Sequence, residues 1–241
     1  MNSTLFLIPT SLSNTIDHHI IQHKRLNNIK HLKYFIVETL KIARQHLKQL
    51  DLIHPIQDLI LMELNKHTAS NEIEHILTIL KSNDVGLLSD CGMPAIADPG
   101  AQIVALAHKH NIQVKPLSGD SSLLITLMSS GFSGQNFAFN GYLSIDKNIC
   151  KKQLFELQEL ILNKKQTQII IETPFRNQQL LINIITSLNE RLSLCVGINL
   201  MNDNEQIISK QLTWWQNQFK QNQLINLHKQ EVVFVIGESF L

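Results

Sequence analysis

Two carboxylates, Asp90 and Asp98, stand in the segment Asp84 to Gly100 (DVGLLSDCGMPAIADPG), separated by Gly92 and Pro94 and followed by Pro99 and Gly100. An acidic group can accept hydrogen bonds from sugar hydroxyls, face a cation or take up a proton, and two in one loop permit a division of those roles. The Gly and Pro residues break regular structure, leaving main-chain N–H and carbonyl groups free to meet a ligand. Before the loop, Val85 to Leu88 is a short apolar run expected to form a strand. After it, Ala101 to His108 is apolar at helical spacing. A strand, an acidic loop and a helix N-terminus outline a ligand site at the carboxyl end of a sheet. Each carboxylate also has a local use, Asp98 as a helix cap and Asp90 in an Asx turn.

The elements that position this loop alternate. Strands are expected at Thr4–Ile8, Tyr34–Val37, Leu59–Met62, Val85–Leu88 and around Val114. Helices are expected at Asp17–Ile29, Thr39–Leu50, Ile73–Leu80, capped in Ser70–Glu72, and Ala101–His108. Strict alternation implies right-handed crossovers and a mostly parallel sheet covered on both faces. The loops Pro9–Asn14, Asp90–Gly100 and Leu117–Ser122 then leave the sheet at one edge. The second half reads helix Leu123–Ser130, strand Phe137–Tyr142, helix Cys150–Leu162, strand Thr167–Ile171 and a helix through Leu188. Strands Leu192–Leu200, Gln206–Leu212 and Glu231–Ile236 follow, with a short Trp214–Phe219 helix, and imply a mixed sheet. A join after Leu117 divides the chain into 1–117 and 118–241. Loops around Gly141-Tyr142 and Glu172–Arg176 are placed to face the first three.

Composition bounds the partners. The chain has 241 residues, 44% of them hydrophobic, and 21 Lys and Arg against 20 acidic residues, so RNA must be met by a local patch rather than a global charge. Lys147, Lys151 and Lys152 supply one such patch. Cys91, Cys150 and Cys195 show neither a disulfide framework nor zinc spacing, which suits a reducing cytoplasm, and no metal is expected. His18-His19 and His108/His110 lack ligand spacing, and the eleven histidines are expected at the surface. No apolar run reaches the ~20 residues of a membrane helix, and no basic residue precedes Leu5–Ile8, so neither a span nor a signal peptide is expected. GxGxxG, GxxxxGK[ST], HExxH and GxSxG are all missing from the sequence.

LLSDCGMPAIADPG, then PLSGDSSLL, FAFNGYLS and IIIETPFRN, flanked by LFLIPT and VVFVIGE, resemble the S-adenosylmethionine (SAM)-dependent methyltransferases of the tetrapyrrole methylase superfamily. The nearest branch is the ribosomal RNA small subunit methyltransferase I type, which methylates a cytidine ribose 2′-hydroxyl in 16S RNA. The resemblance implies two α/β domains, a mostly parallel N-terminal and a mixed C-terminal sheet, SAM in the cleft between them, and a cytoplasmic homodimer. By position, it implies a SAM site of Pro9, Thr10, Asp90, Gly92, Met93, Pro94, Ile96, Asp98, Ser118, Gly119, Ser121 and Ser122. From the second half it adds Phe139, Gly141, Tyr142, Glu172 and Pro174. Asp90, Asp98 and Glu172 are the candidate proton acceptors, and Lys151, Lys152 and Arg176 the candidate RNA contacts. The chain departs from the family at Ser11–Asn14, at Met93, at Ser118–Ser121 (SGDS) and at Gly197–Asn202 (GINLMN). The acidic motif after the second strand reads VETLKIAR, with Glu38 and Arg44 as its equivalents. Methylation of a tetrapyrrole or other small molecule, and SAM or RNA binding without catalysis, stand as alternatives.

Overall fold

The computed structural model describes residues 3–13, 26–65 and 67–238. The chain divides into two compact units, 1–121 and 122–241, where the sequence places the join at 117/118. The helix expected at Asp17–Ile29 falls mainly outside the described residues, as do Asn14 and His18-His19.

In the first unit, β1 (Thr4–Leu7), β2 (Tyr34–Val37), β3 (Ile60–Glu63), β4 (Val85–Leu88) and β5 (Gln113–Pro116) form one sheet in the order β3-β2-β4-β1-β5. All its pairings are parallel. The strands β1, β2 and β4 are short and apolar because both faces are covered there. Phe6, Phe35, Val37 and Leu88 pack on one face with Ala43 and Leu47 of α1 (Leu40–Leu47). Leu5, Ile36, Val85 and Leu87 pack on the other, with Ile76 and Leu80 of α2 (Ser70–Ser82) and Ile103 and Ala107 of α3 (Ala101–Lys109). Alternate strand residues thus serve opposite helices. Gly86 sits where a Cβ would lie 2.6 Å from the Phe35 ring, so the β2–β4 contact has room for no side chain there. The N-cap of α2 is Ala69 rather than Ser70; the Glu72 carboxylate accepts the Ala69 N–H at 2.9 Å. Because β1, β2, β4 and β5 run the same way, the loops after them leave the same edge of this sheet.

The second unit opens with α4 (Ser122–Ser130). It contains β6 (Phe137–Phe139), α5 (Lys147–Lys164), β7 (Thr167–Ile171), α6 (Asn177–Ser187), β8 (Ser193–Ile198), β9 (Gln206–Gln211), α7 (Leu212–Lys220) and β10 (Val232–Gly237). The sheet order is β6-β7-β10-β8-β9. Only β6–β7 is parallel, so the sheet is mixed. Helices α5, α6 and α7 bury Leu154, Leu181, Ile184 and Trp215 against Ile170, Val196 and Phe234. On the opposite face, Leu127 of α4 packs with Phe132 near Ile169, Cys195 and Val235. Helix α5 starts three residues earlier than its apolar pattern because Asp146 accepts the N–H groups of Asn148 and Ile149, both at 2.9 Å. The strand expected to reach Tyr142 stops at Phe139, where Asn140 and the left-handed Gly141 (φ +64) turn the chain. Among the described residues, no helix is long and apolar enough to cross a membrane.

Candidate functional site

Three loops meet at the carboxyl edge of the first sheet. Thr10, buried after β1, donates its N–H to the Gly92 carbonyl at 2.9 Å, and its hydroxyl lies 3.3 Å from the same oxygen. The Leu117 N–H after β5 bonds the Leu7 carbonyl at 2.9 Å. A Cβ on Gly92 would lie 3.1 Å from Leu12 and 3.7 Å from the Asp120 carbonyl, so the β1, β4 and β5 loops converge on this glycine. Its φ of +75° also favours glycine. Ala95 (φ +66°) and Ala97 (φ +62°) occupy the same left-handed region, where a side chain is strained. Three such residues within six form a tight main-chain turn, and conformations of this cost gather at ligand sites.

Asp98 is what holds the turn. Its Oδ2 accepts the Ala95 N–H at 2.7 Å and its Oδ1 the Gly100 N–H at 2.6 Å, immediately before α3. Both oxygens are engaged by their own loop, ahead of α3, whose N-cap is Gly100 with no side-chain cap bond. Burial raises its pKa, against the lowering effect of those N–H bonds.

Asp90 is likewise engaged. Its Oδ1 accepts the Thr39 N–H at 3.0 Å and its Oδ2 the Thr39 hydroxyl at 2.6 Å. In return, the Asp90 N–H donates to Glu38 Oε2 at 3.2 Å. Burial raises the Glu38 pKa, and the nearby Asp90 and Asp98 charges add to the rise. On α1, His46 is half-buried rather than at the surface; burial lowers its pKa, although the Asp90 main chain and carboxylate favour its proton. Thr39 and His46 were not singled out by the sequence. No local signal marks them, since they reach the site only through the pairing of β2 with β4.

Around this cluster the other expected residues vary in access. Pro9, Thr10, Gly92 and Pro94 are buried and Met93 is half-buried, whereas Ile96 and Ser118 are exposed. Gly119 and Ser121 are half-buried in the β5 loop, and Ser122 is the first residue of α4 in the second unit.

The second unit gathers its own set where β6 and β7 end. The Ile171 N–H donates to the Gly141 carbonyl at 3.1 Å, and the Lys229 N–H to the Pro174 carbonyl at 2.9 Å. Phe139 is half-buried and Tyr142 exposed. Glu172 pairs with Arg176 Nη2 at 2.5 Å through both oxygens and also accepts the Thr173 N–H at 2.6 Å. Its side chain is only 6% exposed. Glu172 and Arg176, given separate roles from the sequence, are thus paired with each other at the end of β7. Lys151 and Lys152 are exposed on α5, Lys151 against the Phe155 ring and Lys152 3.9 Å from Glu156.

Solved structures are similar to this fold along nearly the whole chain. The methyltransferase CobJ aligns with 99% of this chain and 95% of its own at TM-score 0.62 and 10% identity. The fold is that of the tetrapyrrole methylases. Other tetrapyrrole methylase neighbours include uroporphyrin-III C-methyltransferase from Thermus thermophilus complexed with S-adenosylhomocysteine. It covers 98% of this chain and 97% of its own, with TM-score 0.55 and 12% identity. In sequence, the chain is similar to proteins named ribosomal RNA small subunit methyltransferase I. That of Synechocystis is 35% identical over 142 residues, 59% of this chain and 49% of the relative. That of Halalkalibacterium halodurans is 28% identical over 80% of this chain and 63% of the relative. That of Buchnera aphidicola is 26% identical over 92% and 76%. The chain therefore spans from about half to three-quarters of the length of these relatives. No family model matches.

Proposed function

We propose that the chain is a SAM-dependent methyltransferase that modifies small-subunit ribosomal RNA at a cytidine ribose 2′-oxygen. The observation that carries the reading is the left-handed turn from Gly92 to Ala97, placed where the β1, β4 and β5 loops converge. Its support in sequence is the similarity to proteins bearing the ribosomal methyltransferase name.

The residues present suit the cofactor. A sulfonium cation beside a flat heterocycle calls for negative potential next to apolar surface. The turn and its neighbours hold both kinds of group, the Glu38, Asp90 and Asp98 carboxyls and the apolar Met93, Pro94 and exposed Ile96. The family resemblance adds Pro9, Thr10, Ser118, Gly119, Ser121, Ser122, Phe139, Gly141, Tyr142, Glu172 and Pro174 as further proposed cofactor contacts. When bound, SAM supplies an electrophilic methyl group, and the protein's task is to align the acceptor oxygen with it. A ribose hydroxyl must lose its proton during or after attack, and Asp90, Asp98 and Glu172 are the carboxylates assigned to accept it, directly or through water. Lys151 and Lys152 are exposed cations available to the RNA backbone. The reading also carries a homodimer, measurable by sedimentation, and a cytoplasmic location.

Incubation with tritiated SAM and either undermethylated 30S subunits or a free tetrapyrrole tests the proposal. Label in 16S RNA, mapped to a ribose, supports it. Label in the tetrapyrrole alone moves the reaction to the small-molecule alternative, and label in neither leaves a binding protein.

A further inference from the structure

Between the loops after β2 and β4, hydrogen bonds run in both directions. Glu38 Oε2 accepts the N–H of Asp90, and Asp90 accepts the N–H and the hydroxyl of Thr39. Each loop therefore supplies a carboxylate to the other's main chain, across 51 or 52 residues of sequence. Thr39 stands at the N-cap of α1 with an extended backbone (φ −128°, ψ 121°). A Thr there ordinarily turns its oxygen onto its own helix. Here it makes no such cap bond, and its hydroxyl goes to Asp90 at 2.6 Å. The α1 N-terminus thus gives up a local bond for one that reaches the neighbouring strand.

We infer that Thr39 is a positioning residue for the Asp90–Asp98 loop: its hydroxyl fixes the Asp90 carboxylate, and with Glu38 it sets where the Gly92 turn begins. The inference rests on the proposed cofactor site, and it adds a residue that does not itself touch the ligand. Two of the three bonds, those made by the Thr39 and Asp90 N–H groups, survive replacement of the hydroxyl. The effect is therefore confined to one charge-assisted bond and the loop it orders.

The test compares Thr39→Val, which keeps shape and removes the donor, with Thr39→Ser, which keeps the donor. Hydrogen exchange of the 89–97 peptide and calorimetric titration with S-adenosylhomocysteine are measured on the full chain. Loss of a bond to a charged acceptor corresponds to about tenfold or more. Thr39→Val is expected to speed exchange in 89–97 and to raise Kd by that factor, with both restored in Thr39→Ser. Wild-type exchange or wild-type Kd in Thr39→Val overturns the inference, as does failure of Thr39→Ser to restore both. If Thr39→Val does not fold, unprotected Thr39 and Asp90 amides in the wild type overturn it, and protected ones support it. Wild-type protein that does not bind S-adenosylhomocysteine refutes the cofactor site itself, whereas the exchange comparison still reports on the loop.

Discussion

Asp90 and Glu172 both lie just past the end of a buried strand, yet they are secured in opposite ways. Asp90 is held by Thr39, 51 residues earlier on the neighbouring parallel strand's loop. Glu172 is held by Arg176, four residues later at the N-cap of α6. The first is a tertiary contact that exists only once β2 and β4 have paired; the second is a local one that its own segment can form. A change at Asp90 should therefore be felt in β2 and α1, and a change at Glu172 mainly at the start of α6.

Substitutions that remove the carboxylates should show this contrast most strongly. Asp90→Ala leaves the Thr39 N–H and hydroxyl without their acceptor and is expected to cost about 3 kcal/mol in urea unfolding, with loss of S-adenosylhomocysteine binding. Glu172→Gln keeps an acceptor oxygen but leaves Arg176, 30% exposed, without a counter-charge. About 1.5 kcal/mol is expected, discounted for that exposure. A larger loss for Glu172→Gln than for Asp90→Ala would reverse the ranking of local and tertiary restraint.

The two environments also differ with pH. Burial lowers the pKa of His46, beside Asp90, from its usual 6.5 in the folded chain. The unfolded chain then binds more protons as pH falls through 6.5, so the His46 contribution is present above that pH and lost below it. Glu38 and Asp98 act in the other direction. Their folded pKa values are raised, so their contributions fall away as pH rises from the usual carboxylate range through the raised values. Thermal melts between pH 7.5 and 5 should show a shallower acid loss for His46→Gln than for the wild type. Equal slopes would remove His46 from the cluster. The smallest effect belongs to an exposed pair: Lys165→Ala, which breaks the 2.7 Å contact with Glu238, should change stability by at most about 0.5 kcal/mol.

Much of the scaffold was readable because its signals are local. VGLL followed by Ser, Asp and Gly marks β4 and its loop, YFIV marks β2, and TQIII marks β7. The alternation of these runs with helical spacing predicted a parallel first sheet, and their closer succession predicted a mixed second one. What Asp90 and Asp98 touch was not readable. Asp98 closes a turn through left-handed alanines, a conformation no residue type there announces. Asp90 finds Thr39 only because β4 lies beside β2 rather than β3, and strand order is a property of the assembled sheet. Glu172 and Arg176, at four-residue spacing, were legible as a pair but were assigned separate roles.

The place of β4 between β2 and β1 has a bearing on how the chain acquires its structure. As the polypeptide emerges from synthesis, β1, β2 and β3 are all available before residues 85–88, but β1 has no partner among them and β2 only β3. Closure of the sheet must wait for this fourth, central strand, an ordering that lengthens the loops to be closed and slows nucleation. A nascent chain arrested before residue 85 would leave one edge of β2 and both edges of β1 without their native partners, the condition under which intermolecular pairing competes with folding.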